Sequence, residues 1–234
     1  MSTTGTTESL ATKGYSVIPS VLSHRELEAQ TAEINKAAGN DAGNRRLLDL
    51  PWCNEIAERL HAHPHLRTIL PGDFRAVQCT LFAKSIENNW LVSLHQDLSI
   101  PVAERVESLL CTGWSQKSEN IFVQPPVSVL ESLVAVRLHI DDCDERNGAL
   151  RVVPASHLLG RLKPELAQEV RRDLGERSVP VPRGGLMAMK PLLLHASSKA
   201  MGDGPRRVLH FLFGPPDLPE GLRWPLRRQF AETL

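Results

Sequence analysis

The chain has 234 residues, 41% of them hydrophobic, with 27 basic and 27 acidic side chains and no formal net charge. That length suits a single domain whose core needs no covalent staples, and the charge balance excludes an electrostatic footprint for nucleic acid or an anionic membrane. Cys53, Cys79, Cys111 and Cys143 lie too far apart for a zinc knuckle or a dense disulfide framework and read as reduced thiols of a cytoplasmic protein; no signal-peptide pattern or membrane span is expected.

About ten polar residues open the chain and are expected to fray. Tyr15-Ser-Val-Ile-Pro is a short apolar run, after which Ser23 and Glu26 form the two halves of a capping box, with Leu22 placed to staple onto Leu27. Leu27, Ile34 and Ala38 share one helical face, and Gly39 is the expected stop. Further helices are predicted over Asn54 to His61 and His65 to Leu70, punctuated by Pro64 and Pro71.

From Arg75 the periodicity changes. Gln78, Thr80, Phe82 and Lys84 alternate with Val77, Cys79, Leu81 and Ala83, the period of a strand with two different faces. Strands are also predicted over Trp90 to Leu94, Leu133 to Asp141, Ala149 to Val153, Leu186 to Met189, Leu192 to Ala196 and Arg207 to Phe213. These segments are short, turn-bounded and fairly evenly spaced. The even spacing predicts a mainly β fold with packed helices, a double-stranded β-helix or jelly roll, rather than repeated strand-helix-strand units. Pro101 to Pro126, with Trp114, reads as a functional loop or lid, and Pro164 to Asp173 as a short helix. The whole chain is expected to be one domain: residues 1–74 mainly helical, 75–213 the jelly-roll core, 214–234 a tail.

Two His-x-Asp tripeptides occur, His95-Gln96-Asp97 just after a predicted strand and His139-Ile140-Asp141 within one. Residues i and i+2 share a strand face, so either pair can present a nitrogen and a carboxylate to one ion. The first pair follows an apolar strand and precedes a loop, and in a jelly roll His195 on a late strand can meet it at the same mouth. Two imidazoles and one carboxylate make a facial triad with open positions, which suits Fe(II) and oxygen chemistry, whereas a closed structural zinc site takes four ligands. The blander readings are a core histidine at 195, surface histidines at 61, 63 and 65, a loop-ordering role for His157 and a structural role for His210. Arg206 is by default a solvated strand end; buried, its planar guanidinium would fork around a carboxylate, with Ser197 as a further donor.

Asn89-Trp90 leading into Leu94-His95-Gln96-Asp97, then Asn147-Gly148-Ala149-Leu150 running to Pro154-Ala155-Ser156-His157, and finally His195-Ala196-Ser197 with Pro205-Arg206, together resemble the phytanoyl-CoA dioxygenase family of Fe(II)- and 2-oxoglutarate-dependent oxygenases, which includes ectoine hydroxylase. The resemblance implies that His95, Asp97 and His195 bind iron, that Arg206 and Ser197 hold the far carboxylate of 2-oxoglutarate, and that Gln78 and Thr80 line the co-substrate pocket. It also implies oxidation of a small-molecule metabolite by O2, with release of succinate and CO2; the carboxylate at 97 separates hydroxylases from related halogenases. Ala155 departs from the glycine usual in the family turn.

Lys84, Arg137, His139 and Trp114 are the candidate substrate contacts. If the polar face of the strand carrying Arg137, His139 and Asp141 looks into the barrel, Arg137 can anchor a carboxylate-bearing substrate; a buried ion pair is the competing expectation. Two alternatives stay open: a cupin-like metal- or metabolite-binding jelly roll that does not use 2-oxoglutarate, and a metal held at His139 and Asp141.

Overall fold

The computed structural model describes residues 2–40, 47–85, 89–117, 120–201 and 204–226. In chain order the elements are α1 (Thr3–Lys13), β1 (Tyr15–Ile18), α2 (His24–Asn40), α3 (Pro51–Ala62), α4 (Pro64–Arg67), β2 (Arg75–Lys84), β3 (Val92–His95), β4 (Ile100–Val102), β5 (Thr112–Lys117) and β6 (Asn120–Gln124). Then come α5 (Val127–Ser132), β7 (Val134–His139), β8 (Leu150–Val152), α6 (Ala167–Leu174), β9 (Arg177–Val179), β10 (Leu186–Met189), β11 (His195–Ser197) and β12 (Arg206–Gly214).

Two antiparallel sheets carry the jelly-roll architecture: a five-stranded sheet ordered β1-β10-β7-β12-β2 and a four-stranded one ordered β3-β11-β8-β9. Alternation along the strands sorts their side chains into two cores. Leu81, Val136, Leu138, Leu209 and Phe211 pack outward against α2 and α3, where Leu27, Ile34, Ile56 and Leu60 meet them. Ala135, Met187, Met189 and Leu212 face inward to Leu150 and Val152 of the smaller sheet. Each fully buried leucine or phenylalanine of this kind contributes about 1.5–3 kcal/mol. The inward positions 137, 139, 206 and 210 break the apolar pattern, and they build the site.

The capping box at α2 forms as expected: Ser23 N donates to Glu26 Oε2 at 2.7 Å and Glu26 N donates to Ser23 Oγ at 3.3 Å. The bonds that Glu26 Oε2 accepts from Ser23 N and Ser23 Oγ, with the Arg59 guanidinium, hold the exposed Glu26 carboxyl down at about 2. The helix runs one residue past the expected stop at Gly39, to Asn40.

Two expectations need correction. The opening residues are α1 rather than a frayed end: Ser2 Oγ accepts Gly5 N at 3.2 Å, Gly14 closes the helix at φ 83°, and Leu10 is buried. Threonine-rich sequence has weak helix propensity, so tertiary bonds must supply the rest. Thr6 Oγ1 meets His65 Nδ1 at 2.9 Å and His157 Nε2 donates to Ala11 O at 3.0 Å.

The segment 101–126 is not a loop but most of a third antiparallel sheet, ordered β4-β6-β5. Its strands hid because β5 is bulged between Thr112 and Ser115, which destroys the period of two. The short elements α5 and β9 were also unforeseen.

Candidate metal centre and co-substrate pocket

His95 at the end of β3 and His195 at the start of β11 are register partners across one antiparallel ladder. Their rings lie 4.3 Å apart, centroid to centroid. His95 Nδ1 donates to Ser93 O at 2.8 Å and His195 Nδ1 donates to Leu193 O at 2.9 Å, each to the carbonyl two residues back. Both imidazoles are thereby held in the tautomer that leaves Nε2 with its lone pair.

Those two nitrogens converge on Asp97, His95 Nε2 at 3.6 Å from Oδ1 and His195 Nε2 at 3.8 Å from Oδ2. One ligand atom from each of the three residues lies within 4.8 Å of the others, and this is the one such cluster among the described residues. Ligands about 2.1 Å from a shared ion and at right angles to one another lie about 3 Å apart, so the set fits a single metal with small adjustments.

Scaffold contacts fix this triad. Asp97 N donates to Pro191 O at 2.9 Å, pinning the residue after β3 to the chain before β11. Gln96, turned the other way, donates to Gly160 O and Leu192 O and accepts from Leu162 N, all at 2.7–2.8 Å. Ser156 Oγ accepts Leu194 N at 2.9 Å just ahead of His195. Asn89 exchanges two bonds with the Ala200 backbone, at 2.7 and 2.8 Å, tying the chain after β11 to the chain before β3.

Burial and charge act against each other here. Burial raises the Asp97 pKa, but the surrounding imidazoles of His195, His95 and His210 outweigh it and hold the carboxyl well below the usual range. His195 is pushed down to about 4 by burial, against the pull of Asp97. Burial also lowers His95, yet the nearby Asp97 carboxylate leaves it raised.

A cavity of about 360 Å³ opens on the triad, walled by Gln78, Thr80, Phe82, Arg137, Ser197 and Arg206 among others. Arg206 is 2% exposed, not a solvated end. Its Nη1 lies 3.9 Å from Cys143 Sγ, and its Nε has no hydrogen-bond partner. A buried guanidinium left this way is costly unless an anion completes it.

Lys84, its register partner on β2, is 1% exposed and donates from Nζ to Ser197 Oγ at 3.0 Å and to Ser198 O at 2.7 Å. Burial, then the charge of Arg206, lowers its pKa to about 8. Gln78 Nε2 donates to Thr80 Oγ1 at 3.1 Å on the same wall.

The polar face of β7 does look inward. Arg137 lies over the Phe82 ring, 5.5 Å from its centroid, and burial followed by the nearby Arg206 charge depresses it to about 10. His139 is buried with an unpartnered Nδ1 and is not among the residues that line the cavity. Trp114 is not brought to the cavity; on β5 it sits under Arg105, 5.6 Å from ring centroid to guanidinium.

The alternative metal pair separates. Asp141 binds Arg207 through Oδ1 at 2.6 Å and Oδ2 at 2.8 Å, so its carboxylate serves an ion pair. His157 lies outside the metal cluster and ties the 154–157 turn to α1 through Ala11 O.

His210 is the site residue that sequence reasoning undervalued. Its Nε2 is 3.9 Å from Asp97 Oδ2 and its Nδ1 is 2.9 Å from Arg137 Nη1. The inward parity of β12, shared with Arg206, was the signal for it.

The chain matches the family model described as phytanoyl-CoA dioxygenase (PhyH) over residues 10–208. No curated protein matches it by sequence. Among solved structures it resembles the non-heme alpha ketoglutarate dependent carbocyclase SnoK from nogalamycin biosynthesis, with 16% identity, TM-score 0.68, and coverage of 95% of this chain and 87% of that one. HygX from Streptomyces hygroscopicus, solved with nickel, 2-oxoglutarate and hygromycin B, is 20% identical at TM-score 0.63, covering 92% of this chain and 88% of that one. AviO1 from Streptomyces viridochromogenes Tue57 is 18% identical at TM-score 0.61, with 93% and 97% covered. At these identities the likeness bears on the fold, while the family model spans most of the sequence: the chain belongs to the phytanoyl-CoA dioxygenase family.

Proposed function

We propose that this protein is an Fe(II)- and 2-oxoglutarate-dependent oxygenase that hydroxylates or otherwise oxidises an unactivated C–H of a small-molecule metabolite in the cytoplasm. The observation that carries this reading is the convergence of His95, Asp97 and His195 on one point, at the mouth of a cavity lined by an unpaired buried arginine. Structures of HygX with iron, and with nickel and 2-oxoglutarate, support it by showing what a protein of this fold holds.

In this reading the two Nε2 atoms and the Asp97 carboxylate hold the iron, which when bound supplies the redox chemistry that activates O2. Arg206, Ser197 and Lys84 receive the distal carboxylate of 2-oxoglutarate, and Gln78 and Thr80 flank it. The overall reaction consumes one keto acid and one O2, sending one oxygen atom into succinate as CO2 leaves and the other into the product alcohol. The protein's own work is to orient the two substrates and exclude water. Arg137, facing the cavity with an unpartnered Nε, is the group that would favour a carboxylate-bearing substrate.

The test is anaerobic titration with Fe(II) and 2-oxoglutarate, followed by succinate release in air. A weak visible charge-transfer band is expected in the parent, lost in His95→Ala and His195→Ala, with succinate release at least a hundredfold lower in both and in Arg206→Ala. A colourless parent at saturation would instead identify a metal-binding jelly roll that does not use the keto acid.

A further inference from the structure

A second and larger cleft, about 910 Å³, adjoins the metal cavity. It lies between α3, the first half of β2 and the chain that follows β12, with Asn54, Glu58 and His61 on the helical side and Leu218, Leu222 and Trp224 on the other. Gln78 and Phe122 line both spaces. On either side of that shared wall the same strands continue: Ile100 belongs to the inner cavity and Pro101 to the outer cleft, Thr80 to the inner and Ala76 to the outer.

The shared wall carries a bulge. Leu212 pairs with Gln78 but Phe213 pairs with Ala76, so Val77 is left without a partner and the strand is re-aimed there. Val77, Gln78 and Ala76 thereby all line the outer cleft.

Volume decides what the cleft is for. Sites that enclose a drug-sized ligand run to about 300–1,000 Å³. The inner cavity, about 360 Å³, is at the low end of that range and in the proposed reaction must hold the keto acid as well as the reacting carbon. The outer cleft is near the top of the range, and its walls mix apolar surface from Phe74, Val77 and Leu218 with polar groups at Asn120 and His61. From Thr80 to Arg75 the strand advances roughly 17 Å.

We infer that the outer cleft is the recognition subsite for the non-reacting part of an elongated amphipathic substrate, whose ring-sized apolar body lies against Phe74, Val77 and Leu218 while its reacting carbon passes Gln78 and Phe122 to the metal. The inference rests on the proposed oxygenase reading for its inner end. It excludes a compact metabolite that the inner cavity alone would enclose.

The probe is 8-anilino-1-naphthalenesulfonate, a flat apolar ring system with a polar group, titrated into the whole protein by fluorescence. Saturable binding is expected, at least tenfold weaker in Val77→Arg and Leu218→Arg, with circular dichroism and 2-oxoglutarate affinity unchanged. Ring-bearing amphipathic compounds, and not small amino acids, should stimulate succinate release in the parent, with KM raised at least tenfold in the same two variants. Equal probe binding in parent and variants would overturn the proposal alone. So would sedimentation showing a dimer that both variants disperse, since a second copy would then fill the cleft. Probe binding lost in the variants, in a protein that binds no keto acid, would overturn the oxygenase reading and with it the assignment of the cleft to that reaction.

Discussion

Arg137 donates from Nη1 to Nδ1 of His210 across 2.9 Å, between register partners on β7 and β12. A guanidinium has only donors, so His210 must accept at Nδ1 and carry its hydrogen on Nε2. That Nε2 lies 3.9 Å from Asp97 Oδ2, while burial followed by the Arg137 charge drives the imidazole pKa down to about 3. His210 is therefore a neutral imidazole whose Nε2 lies near the carboxylate of the triad, its tautomer set by a residue on the neighbouring strand.

Replacing His210 by Phe keeps a ring against the edge of Phe82 but removes both nitrogens. Partners behind a metal ligand typically matter by about 10–100-fold in metal affinity, and a loss of about tenfold is expected here in a Mn(II) titration followed by competition with Fe(II). An affinity within twofold of the parent would show that His210 does not support Asp97.

The proposed contact of Lys84 with 2-oxoglutarate predicts a pH dependence of keto-acid binding. Its pKa of about 8 means that it is charged below that pH and neutral above it, and a bound carboxylate favours the charged form. Binding of 2-oxoglutarate must then take up a proton above pH 8, so Kd should rise by up to about tenfold per pH unit beyond it. Lys84→Arg should flatten the profile at tight binding, and Lys84→Met should flatten it at weak binding. A parent profile that stays flat to pH 9.5 would remove Lys84 from the carboxylate site.

Gly148 sits at φ 81°, and a Cβ there would lie 2.7 Å from the carbonyl oxygen of Ser198. That oxygen accepts the Lys84 ammonium at 2.7 Å. Gly148→Ala is expected to cost about 1–3 kcal/mol in urea unfolding through backbone strain and to weaken 2-oxoglutarate binding at the same time. Unchanged keto-acid affinity would uncouple the turn from the pocket.

Ala155 occupies the left-handed region at φ 64°, where the family turn usually carries glycine. A Cβ in that conformation costs roughly 1–2 kcal/mol, offset in part by the larger unfolded-state freedom of glycine. Ala155→Gly should therefore gain up to about 1 kcal/mol in urea unfolding and leave metal affinity alone. A clear loss of stability would show that the turn tolerates alanine without strain.

Much of the architecture was legible because two periods dominate this chain. The alternation from Gln78 to Lys84, the inward parity of Arg137 and His139 and the capping box at Ser23 and Glu26 are local patterns, and each survives in the folded protein. The third sheet was illegible because bulging at β5 erases its alternation, and α1 because its stability comes from Leu10, His65 and His157 rather than from helix propensity.

The sequence by itself determined the candidate ligand types, their order and the inward faces of β7 and β12, since those follow from side-chain chemistry and a two-residue repeat. Only the tertiary structure decided which His-x-Asp pair meets His195. The β3–β11 ladder brings residue 95 opposite residue 195, while Arg207 engages Asp141. The roles of His210 and of the outer cleft belong to the tertiary level for the same reason. Both arise where strands distant in sequence are set side by side, and no local pattern encodes that distance.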